Sequence, residues 1–142
     1  MIGYLGTAAF VPLLIEEQTS AACRRFWDDA DVVVSSRLLY VETAAALAQA
    51  YRMGRMTQGQ HRQSRRRLDE MWLEIDIVEA DDQVINRAAD LAYRLSLRGY
   101  DAVHCASAAQ LADDMLVAAS GDRGLLAAWS QLGLATYDTR PS

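Results

Sequence analysis

Three carboxylates in this 142-residue sequence stand where their side chains could act together. Glu42 lies in RLLYVETAAALAQAY, Asp101 begins DAVHCASAAQLA, and Asp122 follows MLVAAS through Gly121. Carboxylate oxygens are hard ligands of the kind that Mg²⁺ or Mn²⁺ prefers, and these ions bind phosphates while keeping several waters. If the three side chains meet, they predict metal-assisted hydrolysis of a phosphodiester bond.

Each acid also has a simpler explanation when it is taken alone. A glutamate at the rim of an apolar helix face could keep its carboxylate in water. Asp101 and Asp122 each begin a helical segment and could be N-caps, whose oxygens accept hydrogen bonds from first-turn amides. Helical spacing places Glu42 on a stripe with Leu38, Leu39, Ala45, Ala46 and Ala50.

The elements that must position these acids follow from the alternation of short apolar runs with longer segments of helical period. This pattern predicts βαβ units and an α/β fold with a parallel sheet. The predicted strands are residues 2–5, 32–35, 75–78, 116–119 and 134–137. The predicted helices are residues 10–17, 19–29, 38–53, 57–74, 82–96, 101–113 and 123–132, with Thr19, Thr57 and Asp81 as expected N-caps.

Sheet topology predicts that the three acids share one edge. A helix that follows a parallel strand begins at the carboxyl edge of the sheet, so Glu42, Asp101 and Asp122 should all lie near that edge. Two carboxylates 4 Å apart repel by about 4 kcal/mol at an effective dielectric near 20, and a divalent cation relieves this repulsion. Gly6 leaves the same edge from the first predicted strand.

Composition narrows the class of protein. The chain has a net charge of −5, and its fourteen basic residues are all arginine, so lysine-dependent phosphate loops, Schiff bases and receiver-domain chemistry are excluded. Cys23 and Cys105 stand outside any metal-binding or disulfide spacing. We expect one soluble, cytoplasmic domain over residues 1–142, without a membrane segment.

The segment RQSRRR is a cluster of arginines that includes Arg62, Arg65 and Arg66. These side chains could contact RNA or an acidic partner, or they could form a solvated helix face.

Several segments together resemble a known family. YLGTAAFVPLL, the helix carrying Glu42, RGYDAVHCASA and SGDRGLL, in this order and spacing, are similar to the PIN-domain family and specifically to its VapC-like toxin ribonucleases. The resemblance spans essentially the whole chain. It implies a three-layer α/β/α fold with a central parallel sheet of four to five strands, and a Mg²⁺- or Mn²⁺-dependent endoribonuclease activity. It also implies a homodimer or a higher toxin–antitoxin assembly, with the tail of a cognate antitoxin in the active-site groove.

The same resemblance assigns the candidate site. Glu42, Asp101 and Asp122 match three members of the family's acidic cluster, as metal ligands and water activators. The first strand of the family ends in an aspartate followed two residues later by a hydroxyl residue, and this chain has Gly6 and Ala8 there. We therefore expect a weakened metal site. The alternative is a catalytically inactive PIN-fold protein that binds antitoxin or RNA. His104 is expected to be a structural histidine rather than a catalytic base.

Overall fold

The computed structural model describes residues 1–111 and 113–141. Within these residues, five parallel strands form one sheet in the order β3-β2-β1-β4-β5. Because all strands run the same way, their carboxyl ends meet at one edge, as the sequence predicts. The strands are β1 (Ile2–Leu5), β2 (Val32–Ser36), β3 (Ile75–Val78), β4 (Leu116–Ser120) and β5 (Ala135–Asp138).

Helices cover both faces of the sheet. Successive side chains of β1 point to opposite faces of the sheet. Tyr4 therefore packs in a core with the last three helices, and Leu5 packs in a core with the first four. The predicted three-layer α/β/α fold is therefore confirmed. None of the helices in the described residues is both long and apolar enough to cross a bilayer. The helices are α1 (Thr7–Phe10), α2 (Ser20–Asp29), α3 (Leu39–Arg52), α4 (Gln58–Trp72), α5 (Asp82–Leu95), α6 (Gly99–Leu111) and α7 (Arg123–Gln131).

The start of the chain differs from the prediction. Instead of a helix over residues 10–17, α1 is followed at once by a 3₁₀ turn over Val11–Leu13. Pro12 has no amide hydrogen to donate back along α1, so that helix cannot continue as a regular α-helix. The Ser20 hydroxyl then holds the following loop, because it donates to the Pro12 carbonyl at 2.7 Å and accepts from the Glu17 amide at 2.8 Å.

Two of the three predicted N-caps are confirmed. The Thr57 hydroxyl accepts from the Gln60 amide at 3.1 Å, and Asp81 Oδ1 accepts from the Val84 amide at 2.9 Å. Thr19 occupies the predicted N-cap position of α2, but it does not make the expected capping bond. Its backbone is already helical and its side chain makes no cap bond, whereas a capping side chain needs an extended backbone to reach the first-turn amides.

The helix that carries Asp101 begins earlier than predicted. α6 starts at Gly99, so Asp101 lies inside the first turn rather than at its N-cap. The predicted end of this helix runs through residue 112, which lies outside the described residues. Residues 102–108 of α6 are all buried, so this helix of small side chains is sandwiched within the α5–α7 layer.

The register of α3 and β5 also differs slightly from the prediction. The buried face of α3 consists of Leu39, Thr43, Leu47 and Ala50, and Ala45 is exposed. The observed buried face of α3 is therefore rotated relative to the predicted apolar stripe, because alanine is small and apolar enough to lie on either the buried or the exposed face of a helix. Glu42 consequently lies at the edge of the buried face. β5 begins at Ala135, one residue later than predicted.

Candidate functional site

Glu42, Asp101 and Asp122 line a single cleft of about 410 Å³ at the carboxyl edge of the sheet. The first lies one turn into α3, the second in the first turn of α6, and the third in the bend between β4 and α7. Three elements that are distant in sequence therefore deliver one acid each to the same place. This is the arrangement that the topology of the predicted sheet requires.

Asp122 has both the capping role and a place in the cleft. Its Oδ1 accepts a hydrogen bond from the Leu125 amide at 3.0 Å, and its own amide donates to the Ser120 hydroxyl at 3.0 Å. These bonds fix the carboxylate against the start of α7. The N-cap explanation and the site explanation are thus compatible for this residue.

Glu42 is fixed by a buried histidine. Its Oε1 accepts from His104 Nε2 at 2.7 Å, and the Thr7 hydroxyl lies 3.2 Å from the same nitrogen. On the other side of the ring, Nδ1 lies 2.8 Å from the Tyr4 hydroxyl. Because a carboxylate only accepts, the bonds assign the hydrogen to Nε2, and Nδ1 then accepts from Tyr4. Burial raises the pKa of Tyr4, so its phenol keeps the proton it donates.

The carboxylates are close enough to influence one another. The pKa of Asp101 is raised, mainly by burial and next by the negative charge of Asp122, with a further contribution from Glu42. Arg98 and His104 oppose this rise. The Arg98 Nε atom lies 3.7 Å from Asp101 Oδ2, an ion-pair distance too long for a hydrogen bond.

The donor set suits a hard cation that keeps much of its water. Among residues 1–111 and 113–141, no three His, Cys, Asp or Glu side chains are grouped closely enough to hold one metal ion. Mg²⁺ is commonly held by one or two carboxylates together with waters and substrate phosphates, so an open site of this kind still fits it. The described side chains do not form a site in which protein ligands alone surround the ion.

Gly6 has the extended backbone of a residue that precedes a helix, and its amide donates to the Ala119 carbonyl at 2.9 Å. A β-carbon added there would lie 3.3 Å from that carbonyl oxygen and 3.4 Å from both Leu125 Cδ2 and Ser120 Cβ. An aspartate at this position therefore needs a small shift of its neighbours, and it needs no change of backbone conformation. Ala8 lines the cleft.

The predicted arginines lie elsewhere. Arg62, Arg65 and Arg66 are on α4 and do not line the cleft of the three acids. The guanidinium of Arg65 lies 5.8 Å from the centre of the Tyr40 ring and donates to its hydroxyl at 3.2 Å.

Sequence reasoning missed several residues of the site. Tyr4, Thr7 and Arg140 were not singled out, yet Thr7 and Arg140 line the cleft, and Tyr4 bonds His104. One signal was available. His104 follows Asp101 by three residues, which puts both on neighbouring positions of one helix face. For Arg140, which donates to Asp138 at 2.6 Å, no pattern in the sequence pointed toward the cleft.

Comparisons with known proteins agree with this architecture. The sequence model described as the PIN domain matches residues 4–128. Ribonuclease VapC45 of Mycobacterium tuberculosis is 40% identical over 122 residues, which are 86% of this chain and 85% of that protein.

Solved structures match as well. FitAcB from Neisseria gonorrhoeae has a TM-score of 0.73 at 17% identity, with 98% of each chain covered. A chain of a toxin–antitoxin complex from Klebsiella pneumoniae has a TM-score of 0.66 at 14% identity, with 99% of each chain covered. At these identities the structural matches concern the fold alone.

Proposed function

This chain belongs to the PIN-domain family, and we propose that it acts as a VapC-like toxin ribonuclease that hydrolyses RNA phosphodiester bonds with Mg²⁺ or Mn²⁺. The observation that carries the proposal is the meeting of Glu42, Asp101 and Asp122 in one cleft. The 40% identity to a protein named a ribonuclease supports RNA as the substrate class.

Each acid has a separate part in this proposal. Asp101 gains most from a nearby cation, because burial and the charge of Asp122 both disfavour its ionised form. Glu42 uses one oxygen for His104 and turns the other to water or the ion. Asp122 is held rigid by its cap bond to Leu125. A bound divalent cation would neutralise the phosphodiester and acidify an attacking water.

We also propose that the activity of this chain is weakened. Gly6 and Ala8 provide neither a carboxylate nor a hydroxyl at the end of β1. Losing even a group that only orients a metal ligand commonly lowers affinity or activity about 10- to 100-fold, and a missing ligand should cost at least as much.

Binding without cleavage is the second candidate function. Gly6 favours it, and so does the lack of a three-ligand cluster among the described side chains. In that case the fold is kept to hold an antitoxin or RNA, and the acids contribute little turnover.

Partners follow from the family. We propose that residues 1–142 form one PIN domain that pairs with a cognate antitoxin, as in the toxin–antitoxin complex from Klebsiella pneumoniae. We further propose that the chain forms a homodimer. The α4 arginines Arg62, Arg65 and Arg66, which lie away from the cleft, would then contact the antitoxin or RNA beyond the cleaved bond.

Restoring the missing carboxylate tests the proposed function. Gly6→Asp should cleave a mixture of ribosomal and transfer RNA at least about tenfold faster than the parent chain in Mn²⁺ or Mg²⁺. Gly6→Ala adds the same β-carbon without the carboxylate and should bring no gain. Adding Asp101→Asn to the Gly6→Asp chain should abolish cleavage, and so should EDTA.

The outcomes separate the two candidates. If Gly6→Asp folds and binds Mn²⁺ but cleaves no RNA, binding without turnover is favoured. If Gly6→Ala is activated as strongly as Gly6→Asp, the missing carboxylate is not the cause of weak activity. Thermal unfolding of each variant shows whether the tight fit beside Ala119 and Leu125 has been tolerated.

A further inference from the structure

A second, larger cleft of about 650 Å³ opens directly beside the acidic one. Glu42 and Asp101 line both clefts, so the two carboxylates form the boundary between them. A ligand group that binds next to these two carboxylates can therefore extend from one cleft into the other.

The walls of the adjoining cleft differ from those of the acidic one. Away from the shared carboxylates its lining is mostly apolar and includes Leu38, Val103 and Tyr100. Tyr100 is 56% exposed. Its side chain is available to a ligand.

A positive charge stands at the same opening. The Arg98 side chain lines the adjoining cleft and is 87% exposed, and its ion pair with Asp101 is longer than a hydrogen bond. Its guanidinium is thus free to contact an anionic group that bridges the two clefts. An aromatic face, an apolar wall and a nearby arginine together are the features that hold an unpaired nucleotide.

We propose that the adjoining cleft binds the nucleobase next to the phosphodiester that is cleaved, stacked on Tyr100, with Arg98 on a neighbouring phosphate. This inference rests on the proposed function, because that function places the phosphodiester at Glu42 and Asp101. A base joined to that phosphate lies one sugar away, on the side where Tyr100 lies. Since every base has a stacking face, the subsite selects single-stranded RNA rather than a particular base.

Paired Tyr100 and substrate changes test the subsite. The bond cut in a single-stranded oligonucleotide is mapped first, with the parent or the Gly6→Asp chain, whichever cleaves faster. Tyr100→Ala should then lower kcat/KM about 5- to 100-fold, the range that stacking of one base supplies, while Tyr100→Phe keeps most of it. The matched control is Tyr93→Ala, since Tyr93 is 89% exposed on α5 and lines neither cleft.

A matching change in the substrate completes a double-mutant cycle with Tyr100→Ala. An oligonucleotide that lacks the base on one side of the cut should lose about as much kcat/KM with the parent chain as Tyr100→Ala loses with intact RNA. Combining the two changes should cost little more than either alone, because both remove the same contact. Binding of the labelled oligonucleotide in EDTA gives a readout that does not depend on cleavage, and it should follow the same pattern.

Three results would overturn the subsite. Tyr100→Ala could bind and cleave as the parent does, or its effect could add fully to that of the missing base. Light scattering could also show that Tyr100→Ala separates a dimer, which would make the cleft an interface between copies of this chain. If neither chain cleaves RNA, the proposed function fails, and the subsite is then decided by whether Tyr100→Ala binds intact single-stranded RNA more weakly than the parent chain and Tyr93→Ala do.

Discussion

The phenol of Tyr4 is connected to the carboxylate of Glu42 by two hydrogen bonds through the ring of His104. Tyr4 and His104 are both buried, and His104 lines the acidic cleft together with Thr7, whereas Tyr4 does not. The connection therefore acts on orientation. It selects one tautomer of His104 and holds Glu42 at the edge of α3, where its second oxygen is available.

Tyr4→Phe should remove this orientation while keeping the shape of the core. The Nδ1 atom of His104 loses its donor, so the ring is held only through Nε2 and positions Glu42 less firmly. We expect kcat for RNA cleavage to fall about 10- to 100-fold with little change in KM, as is typical of residues that orient metal ligands. Steady-state kinetics in the Gly6→Asp chain measures this effect.

Tyr137→Phe is the control for that change. The Tyr137 hydroxyl donates to the Ala22 carbonyl at 3.4 Å on the opposite layer of the protein, so its loss should leave kcat unchanged. Equal kinetics for Tyr4→Phe and the parent chain would mean that His104 needs no donor to hold Glu42. A loss of stability alone, with full activity, would give Tyr4 a purely structural role.

The sequence predicted which acids line one cleft, but it did not predict what holds them. Glu42, Asp101 and Asp122 could be found because strand topology delivers them to one edge. The contacts of Tyr4 and Thr7 with His104 join residues about 100 positions apart, and such contacts have no signal in the sequence. His104 was interpreted as structural, and its bonds fit that interpretation while also joining it to the site.

The elements differ in how firmly their ends are specified. α4 begins with a reciprocal pair of bonds, because the Thr57 hydroxyl accepts from the Gln60 amide and the Gln60 side chain accepts from the Thr57 amide. α2 begins without such a pair. Instead, the buried Ser20 hydroxyl ties its first residue to the Pro12 carbonyl.

Thr57→Ala should therefore lower the free energy of unfolding by about 1 kcal/mol, the usual effect of losing a capping side chain. Urea unfolding followed by circular dichroism measures the change. Thr19→Ala is the matched control, since Thr19 makes no cap bond, and its effect should stay below about 0.5 kcal/mol. Equal losses for the two variants would show that the capping pair of α4 does not exist in solution.

The same contrast explains what could be predicted about the elements. Strands and long helices were found with small errors because their apolar period is read over many residues. The segment between β1 and α2 was not, because its path depends on one proline and on one buried hydroxyl whose partners lie eight and three residues away. Such contacts have no periodic signature.

The acidic cleft lowers the stability of the folded protein, and a bound cation should remove this destabilisation. The raised pKa of Asp101 means that the folded state disfavours its ionised form, so at neutral pH this carboxylate lowers stability. A ligand that binds only the folded state raises stability, by about 2.7 kcal/mol at a concentration 100 times its Kd.

Saturating Mn²⁺ should accordingly raise the Tm of the parent chain by about 5 to 10 °C. Asp101→Asn should have the opposite pattern: a Tm above that of the parent in EDTA, because a destabilising charge is gone, and little response to Mn²⁺. Differential scanning calorimetry of both chains, in EDTA and in Mn²⁺, measures these differences in Tm. Asp90→Asn, on the exposed face of α5, should respond to Mn²⁺ as the parent chain does. A parent chain whose Tm ignores Mn²⁺ would argue against a metal site in the folded protein.

The position of β1 has a consequence for synthesis on the ribosome. β1 precedes the other four strands in the sequence and lies in the middle of the finished sheet, where Ile2 pairs with Val32 on one side and with Leu116 on the other. Until β4 has been synthesised, β1 keeps an unpaired edge, and Asp122 follows only after β4. The cleft that Glu42, Asp101 and Asp122 line therefore cannot form before synthesis has passed β4.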